Sequence, residues 1–370
     1  MLLVGGLCGL RAVVFTGDRP KNPLPCPLWT LSRGRARLRL HSGQRDMPSR
    51  TWPDRHDSRV AERIHDDEPD TTEATVSALL SAQCPEWADL ALTYLRTSGT
   101  DNAMWRVRVP SGEDVVVRLP RRPRAAANVG IELDVLQTIA DGPLAAVVET
   151  PRVLHVGTPD EAFPHRWAVL GWLDGADAWT ARKTLGGALE SIAIDLAAAV
   201  RSIGTLTDMP VPHREPGERG GPIEPLLQRL DWWLDDPMWR APELIDVAAV
   251  RRCAAQTLEV AHDPVDARFV HGDLIPGNLL VAANRLSAII DWGSAGYADP
   301  AQDLGAAWAV FDERTRPVFR EAVGADETTW LRARAFELEQ AVGGVLYYTP
   351  RGHALGDVMA RTLHRILEEA

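Results

Sequence analysis

The rhythm of apolar and polar residues changes twice along this chain, and the changes divide it. Over residues 72–80 the apolar spacing predicts a short helix, with Thr71 or Thr72 as its cap. Residues 90–95 lead into the turn-rich stretch Ser98-Gly99-Thr100-Asp101-Asn102. Residues 104–109 alternate as a strand, Ser111-Gly112-Glu113-Asp114 supplies a turn, and 115–119 form a second strand, so a hairpin is expected. After Pro120 and an Arg-rich loop, a helix over 128–140 sets Val129, Leu133, Leu136 and Ala140 on one face. Residues 153–156 and 167–172 read as further strands.

Beyond Asp174-Gly175 the pattern turns helical. A long Ala- and Leu-rich helix is predicted over 185–203, with others over 223–234 and 244–261. A short strand at 268–270 and a small hairpin at 279–282 and 288–290 interrupt them, and helices fill the chain from 303 to 370. No segment repeats. A sheet-rich front and a helical back predict an α+β chain of two lobes, 71–172 and 173–370, hinged near Trp172.

Composition narrows the classes. With 370 residues, 45% hydrophobic and 25% charged, the chain can bury a core in each lobe. No run of 18 apolar residues occurs, so no membrane-spanning helix is expected. Cys8, Cys26, Cys84 and Cys253 have no metal-like spacing and read as free thiols of a cytoplasmic protein. The net charge of −11 conceals an asymmetry: residues 1–50 hold nine Lys/Arg against Asp18 and Asp46, or +7, which leaves −18 on the other 320. A body that acidic is a poor partner for nucleic acid and a plausible host for cationic small molecules. The apolar stretch 2–10 lacks a preceding positive charge and a small-residue cleavage site, so export is not expected. Residues 19–50, rich in Pro, Gly, Ser and Arg, extend that basic character, and 1–70 read as a disordered extension in which Met47 is a second candidate start. No pattern bears on oligomeric state.

Candidate chemistry concentrates in Phe269-Val270-His271-Gly272-Asp273-Leu274-Ile275-Pro276-Gly277-Asn278 and in Ile289-Ile290-Asp291-Trp292-Gly293. An Asp five residues before an Asn on a loop can set both side chains beside one phosphate, the carboxylate taking a hydroxyl proton and the amide oxygen binding Mg²⁺. A second Asp closing a short buried strand suits a metal that bridges β- and γ-phosphates, and Mg²⁺ takes such oxygen donors. Gly293 is expected to permit a turn that a side chain would obstruct.

These residues resemble the aminoglycoside-phosphotransferase and choline-kinase-like families, relatives of the protein kinases. The resemblance continues into Asp299-Pro300-Ala301-Gln302-Asp303-Leu304 and covers 95–348. It implies a bilobal protein-kinase-like fold, with a small antiparallel-sheet N-lobe, a larger helical C-lobe, and ATP or GTP with Mg²⁺ between them. Carried over, Asp273 is the catalytic base, and Asn278 and Asp291 are the metal ligands. His271 reads as a brace that handles no proton, Asp303 as a helix cap tied to the catalytic loop, and Asp299 as a residue at the pocket edge.

Kinase-like folds clamp the nucleotide with a strand Lys paired to a helix Glu. The only lysines here are Lys21 and Lys183, and the equivalent position holds Arg118, opposite Val115, Val117 and Leu119, with Glu132 as its expected partner. Ser98 and Asn102 belong to the turn expected over the phosphates, and the adenine is expected against hinge backbone from Leu170 to Trp172. The acceptor is expected to be a hydroxyl of an aminoglycoside-like or other small, cationic molecule, which would make the chain an antibiotic-resistance enzyme. The alternatives are a metabolic kinase for a sugar, amino alcohol or choline-like compound, and a catalytically weak nucleotide-binding member. Asp231, Asp235, Asp236, Glu337 and Glu339 are candidates to hold a cation, each weighed against an ordinary solvated helix charge; Trp232, Trp233 and Trp239 could wall a pocket or fill core.

Overall fold

The alternation in the front half builds a sheet with two different faces. In the computed structural model, which describes residues 68–95, 101–110, 112–257 and 265–369, helix α1 (Glu73–Gln83) precedes strands β1 (Leu92–Leu95), β2 (Asn102–Val107) and β3 (Val115–Pro120). Helix α2 (Pro123–Ile139) then leads to β4 (Val153–Gly157) and β5 (Trp167–Gly171). The sheet is antiparallel, in the order β1-β2-β3-β5-β4. Ala103, Trp105 and Val107 of β2 point to one face with Val115, Val117 and Leu119 of β3, against Val76, Leu79 and Leu80 of α1. The period of two therefore sends Arg118 to the opposite face, toward α2.

Helix α2 starts five residues before the expected position. Pro123 occupies its first turn, where a missing N–H breaks no hydrogen bond, so the Arg-rich stretch is partly helical. Arg121 stays in the loop but is not a solvated charge: it is buried and paired with Glu68 at 2.6 Å and the Tyr94 hydroxyl at 2.6 Å.

The back half contains β6 (Ala176–Asp177), α3 (Ala178–Ala181), α4 (Leu189–Ile203), α5 (Ile223–Asp235), α6 (Ala241–Leu244), α7 (Val247–Thr257) and β7 (Arg268–Val270). Hairpin β8 (Leu279–Ala282) and β9 (Arg285–Ile289) follows, then β10 (Gly296–Ala298), α8 (Ala301–Leu304), α9 (Ala306–Val310), α10 (Arg316–Val323), α11 (Glu327–Tyr348) and α12 (Ala354–Glu368). The helix expected over 244–261 is broken. Ile245 is extended and the Asp246 carboxylate accepts from Ala249 N at 2.9 Å, starting α7 afresh; residues 258–264 lie outside the described set. Helix α11 is buried on nearly every side, so it is the axis of this lobe. Strand β9 reaches the front lobe, where Glu149 N donates to Ser287 O at 3.1 Å and Ile289 N to Glu149 O at 3.0 Å. Among the described residues no helix is long and apolar enough to cross a membrane.

Candidate active site

Between β7 and β8 the chain must turn sharply, and Gly272 makes the turn with φ +81°, where an added Cβ would collide with the Ser294 carbonyl oxygen. Asp303 of α8 fixes the corner from behind: its carboxylate accepts from His271 N and Gly272 N, each at 2.7 Å. Burial raises the Asp303 pKa, against the pull of those two N–H groups. Asp303 therefore ties the loop as expected, but it sits inside α8 and does not cap it. Asp299, the residue before the N-cap Pro300, accepts from Ala301 N at 2.9 Å and is a buried partner of Arg332 at 2.8 Å, not a pocket-edge residue.

His271 is fully buried, and its ring is committed at both nitrogens. Nδ1 accepts from Asp273 N at 3.2 Å, so Nε2 carries the proton and meets Ile290 O at 3.1 Å. The ring thereby laces the loop to the segment bearing Asp291. A second lace runs through Asn278: Ile290 N donates to its carbonyl at 2.9 Å, while its Nδ2 donates to Asp273 O at 2.8 Å. Asp273, Asn278 and Asp291 thus share one frame. Asp273 Oδ1 accepts from Arg219 at 2.6 Å and Gln340 at 3.1 Å; among the described residues Oδ2 accepts only from Asn278 Nδ2, at 3.3 Å.

Asp291 is itself the residue in the left-handed region, with φ +66°. Gly293 is not strained: a Cβ there would lie 3.4 Å from Asn128 Cβ and 3.7 Å from Asp291 Oδ1, ordinary contacts. The expectation that a side chain at 293 would obstruct the turn is therefore corrected.

On the front-lobe side, Arg118 is 6% exposed and its fork is shared: Nη1 pairs with Glu132, and Nη2 donates to Asp291 Oδ1 at 2.7 Å. With its amide oxygen turned inward, Asn102 accepts from Nη2 at 2.8 Å and Nε at 3.2 Å. Burial pushes the Glu132 carboxyl up to about 7 against the opposing pull of Arg118. Burial also works against the Asp291 carboxylate, but Arg118 outweighs it and the pKa lies below the ordinary value; 38% of that side chain is exposed.

The other expected residues divide. Ser98 lies outside the described residues. Leu170 is buried in β5, and the next two N–H groups are taken: Gly171 N donates to Arg152 O at 2.8 Å and Trp172 N to Asp114 O at 3.1 Å. A base hydrogen-bonding to the hinge cannot use those two donors. The Trp172 ring instead carries Arg106, 3.7 Å from its centroid. Asp231 and Asp235 are exposed and face Arg251, and Asp236 accepts from Met238 N at 2.9 Å; all three are ordinary helix-end charges. Glu337 and Glu339 are buried on α11, which corrects their reading as solvated charges. Trp233 and Trp239 are core, and Trp232 is their exposed neighbour. Sequence reasoning missed Arg219 and Gln340, which lie 54 and 67 residues from Asp273.

The model of the phosphotransferase enzyme family matches residues 94–336. An aminoglycoside 3'-phosphotransferase from Escherichia coli is 27% identical over 183 residues, 46% of this chain; the chain spans 60% of that relative's length. The GDP complex of wild-type aminoglycoside 2'-phosphotransferase-IIIa superposes with a TM-score of 0.61 at 18% identity, covering 80% of this chain and 97% of that one. Macrolide 2'-phosphotransferase MphH from Brachybacterium faecium gives 0.51 at 21% identity, over 78% and 98%. At these identities the structural likenesses speak for the fold, which is the bilobal kinase-like one.

Proposed function

The chain belongs to the phosphotransferase enzyme family, and on that premise we propose that it moves the γ-phosphate of ATP or GTP to a hydroxyl of a small acceptor, with Asp273 as base. What carries this reading is the shared frame, in which Asn278 and the His271 ring tie the Asp273 loop to the backbone of Ile290, the residue before Asp291. Positioning and charge supply most of the catalysis in phosphoryl transfer, so a pre-built frame is the expected apparatus. Asp273 Oδ1 is committed to Arg219 and Gln340, and Oδ2 is left to take the acceptor's proton.

Among the described residues no cluster of three His, Cys, Asp or Glu could hold a metal alone. The donor set nonetheless fits Mg²⁺, which needs few protein oxygens when phosphates supply the rest. Asn278 spends its amide N–H on Asp273 and its Oδ1 accepts no hydrogen bond from the described residues, while Asp291 keeps part of its carboxylate open. Those two would hold the ion, whose charge neutralises the β- and γ-phosphates when bound. Arg118, oriented by Glu132 and Asn102, would grip the phosphates in the place of the usual Lys. The pairing of Arg118 with the helix Glu supports reading it as a working clamp over the weak-member alternative.

The test is Asp273→Asn in purified residues 47–370. Nucleotide affinity by calorimetry should be unchanged, while phosphate transfer across panels of aminoglycosides, amino alcohols and sugars should drop about 10²–10⁴-fold. Transfer at the unmodified rate would remove Asp273 from the mechanism.

A further inference from the structure

Arg219 reaches Asp273 from the loop joining α4 to α5, and the fold fixes its placement. His213 bridges to Tyr297 and stacks on its ring at 5.0 Å, and Arg214 N donates to Tyr297 O at 2.8 Å. Arg229 Nη1 donates to Gly217 O at 2.5 Å, and Asp299 N to Gly220 O at 2.8 Å. Gly220 holds φ +74°, with room for no Cβ because Ala298 Cβ would be 2.7 Å away. Both sides of Arg219 are pinned, and its guanidinium is delivered to the candidate base.

Only one of its N–H donors is engaged among the described residues, the Nη1 bond to Asp273, and 27% of the side chain is exposed. The carboxylates that act on Arg219 are Asp273, Glu339 and Glu337. Asp273 answers Arg219 itself, and Glu339 is taken by Arg229 at 2.6 Å. Glu337 lies in the same field; burial pushes its carboxyl up to about 8, so at neutral pH it is mostly uncharged. An anion approaching Asp273 therefore meets a guanidinium whose other N–H donors are unengaged among the described residues, an unfilled fork.

We propose that Arg219 grips an anionic oxyacid group, carboxylate or phosphate, so that the acceptor is a hydroxyl compound carrying such a group and not a polycation. A planar fork matches either oxyanion. This rests on the transferase reading above and gives its acceptor a chemical class. In the step itself the acceptor oxygen bonds to the γ-phosphorus, the bridge to the nucleoside diphosphate breaks, and the hydroxyl proton passes to Asp273 Oδ2. Arg219 stays on Oδ1 throughout and holds the acceptor's acidic group, which makes it a specificity residue.

The experiment uses the full chain with Mg-ATP and Mg-GTP against matched acceptors: glycerate and glycerol 3-phosphate, glycerol, 3-amino-1,2-propanediol, sugar phosphates, and kanamycin. Nucleoside diphosphate release is read for the unmodified protein, Arg219→Gln and Arg219→Lys. Acidic acceptors should give the highest kcat/KM, falling about 10- to 100-fold in Arg219→Gln mainly through KM, as expected for one lost charge-assisted fork, with partial recovery in Arg219→Lys. The carboxylate and phosphate arms tell which oxyanion is preferred. Efficient transfer to kanamycin that Arg219→Gln leaves equal or improves overturns the inference while leaving the transferase reading intact. Calorimetric titration with malonate and inorganic phosphate in the presence of Mg-nucleotide decides the matter without turnover. Binding at least tenfold tighter to the unmodified protein than to Arg219→Gln supports it, and equal or absent binding refutes it. Loss of Mg-nucleotide binding in the unmodified protein would instead defeat the transferase reading.

Discussion

Glu337 tests the electrostatics beneath the site without any substrate. It is 3% exposed on α11, one turn before Gln340, and its Oε1 has no hydrogen-bond partner. Burial raises its carboxyl from 4.5 to about 8; Arg219 pulls it down, and Asp273 and Glu339 push it further up. Because the folded pKa lies above the unfolded one, the folded state holds an extra proton between those values. Its contribution to stability is therefore fully present below about pH 4.5 and is lost as pH rises through 8.

Each pH unit in that window is worth about 1.4 kcal/mol, so the span from 4.5 to about 8 has a ceiling of about 5 kcal/mol. Glu337→Gln keeps the shape and cannot ionise. Denaturant unfolding of both proteins at pH 5.5, 7 and 9 isolates the effect, since titrating groups that do not touch Glu337's field cancel in the difference. Between pH 5.5 and 9 the balance should move toward the variant by about 3 kcal/mol, the part of the span above 5.5. If the two stabilities run parallel within about 0.5 kcal/mol across that range, Glu337 ionises normally and burial is not governing it.

Three further outcomes follow from the same packing. Arg118→Ala leaves Glu132 buried without its cation and should lower stability by about 3 kcal/mol in urea unfolding, while Arg118→Lys, which keeps one of the contacts, should lose less than half of that. Gly272→Ala forces a Cβ into Ser294 at a left-handed φ and should lose about 3 kcal/mol, whereas Gly293→Ala should change stability by about 1 kcal/mol or less; paired thermal melts compare them. Asp303→Asn replaces one acceptor by a donor against a buried N–H and should remove about 2–3 kcal/mol, seen as a lower Tm by circular dichroism.

The residues that sequence reasoning reached were those with a local signature. Asp273, Asn278 and Asp291 stand in short motifs, and Glu132 follows Arg118 by strand-then-helix order, so their encounter needed only the fold. Arg219 has no such mark, because one of two arginines in a Gly- and Pro-rich loop looks like the other until the loop is folded onto β10. The α11 carboxylates were misjudged for a different reason. A helix buried on all sides has no polar stripe, so periodicity does not separate Glu337 from a surface Glu, and only the tertiary packing does. At α2 a cluster of arginines hid a helix start that Pro123 announced.

The Arg at position 118 is more than a tolerated Lys substitute. A lysine would have to gather Glu132, Asp291 and Asn102 around one compact charge, while a planar fork spreads its donors over all three. The first residue of β2, the middle of α2 and the segment after β9 are thereby drawn to one group, so the clamp and the candidate metal strand are a single electrostatic unit. An arriving phosphate must share or displace the Asp291 contact at 2.7 Å to reach Nη2. If Arg118 is the phosphate clamp proposed above, nucleotide binding is coupled to the Asp291 carboxylate through that contact.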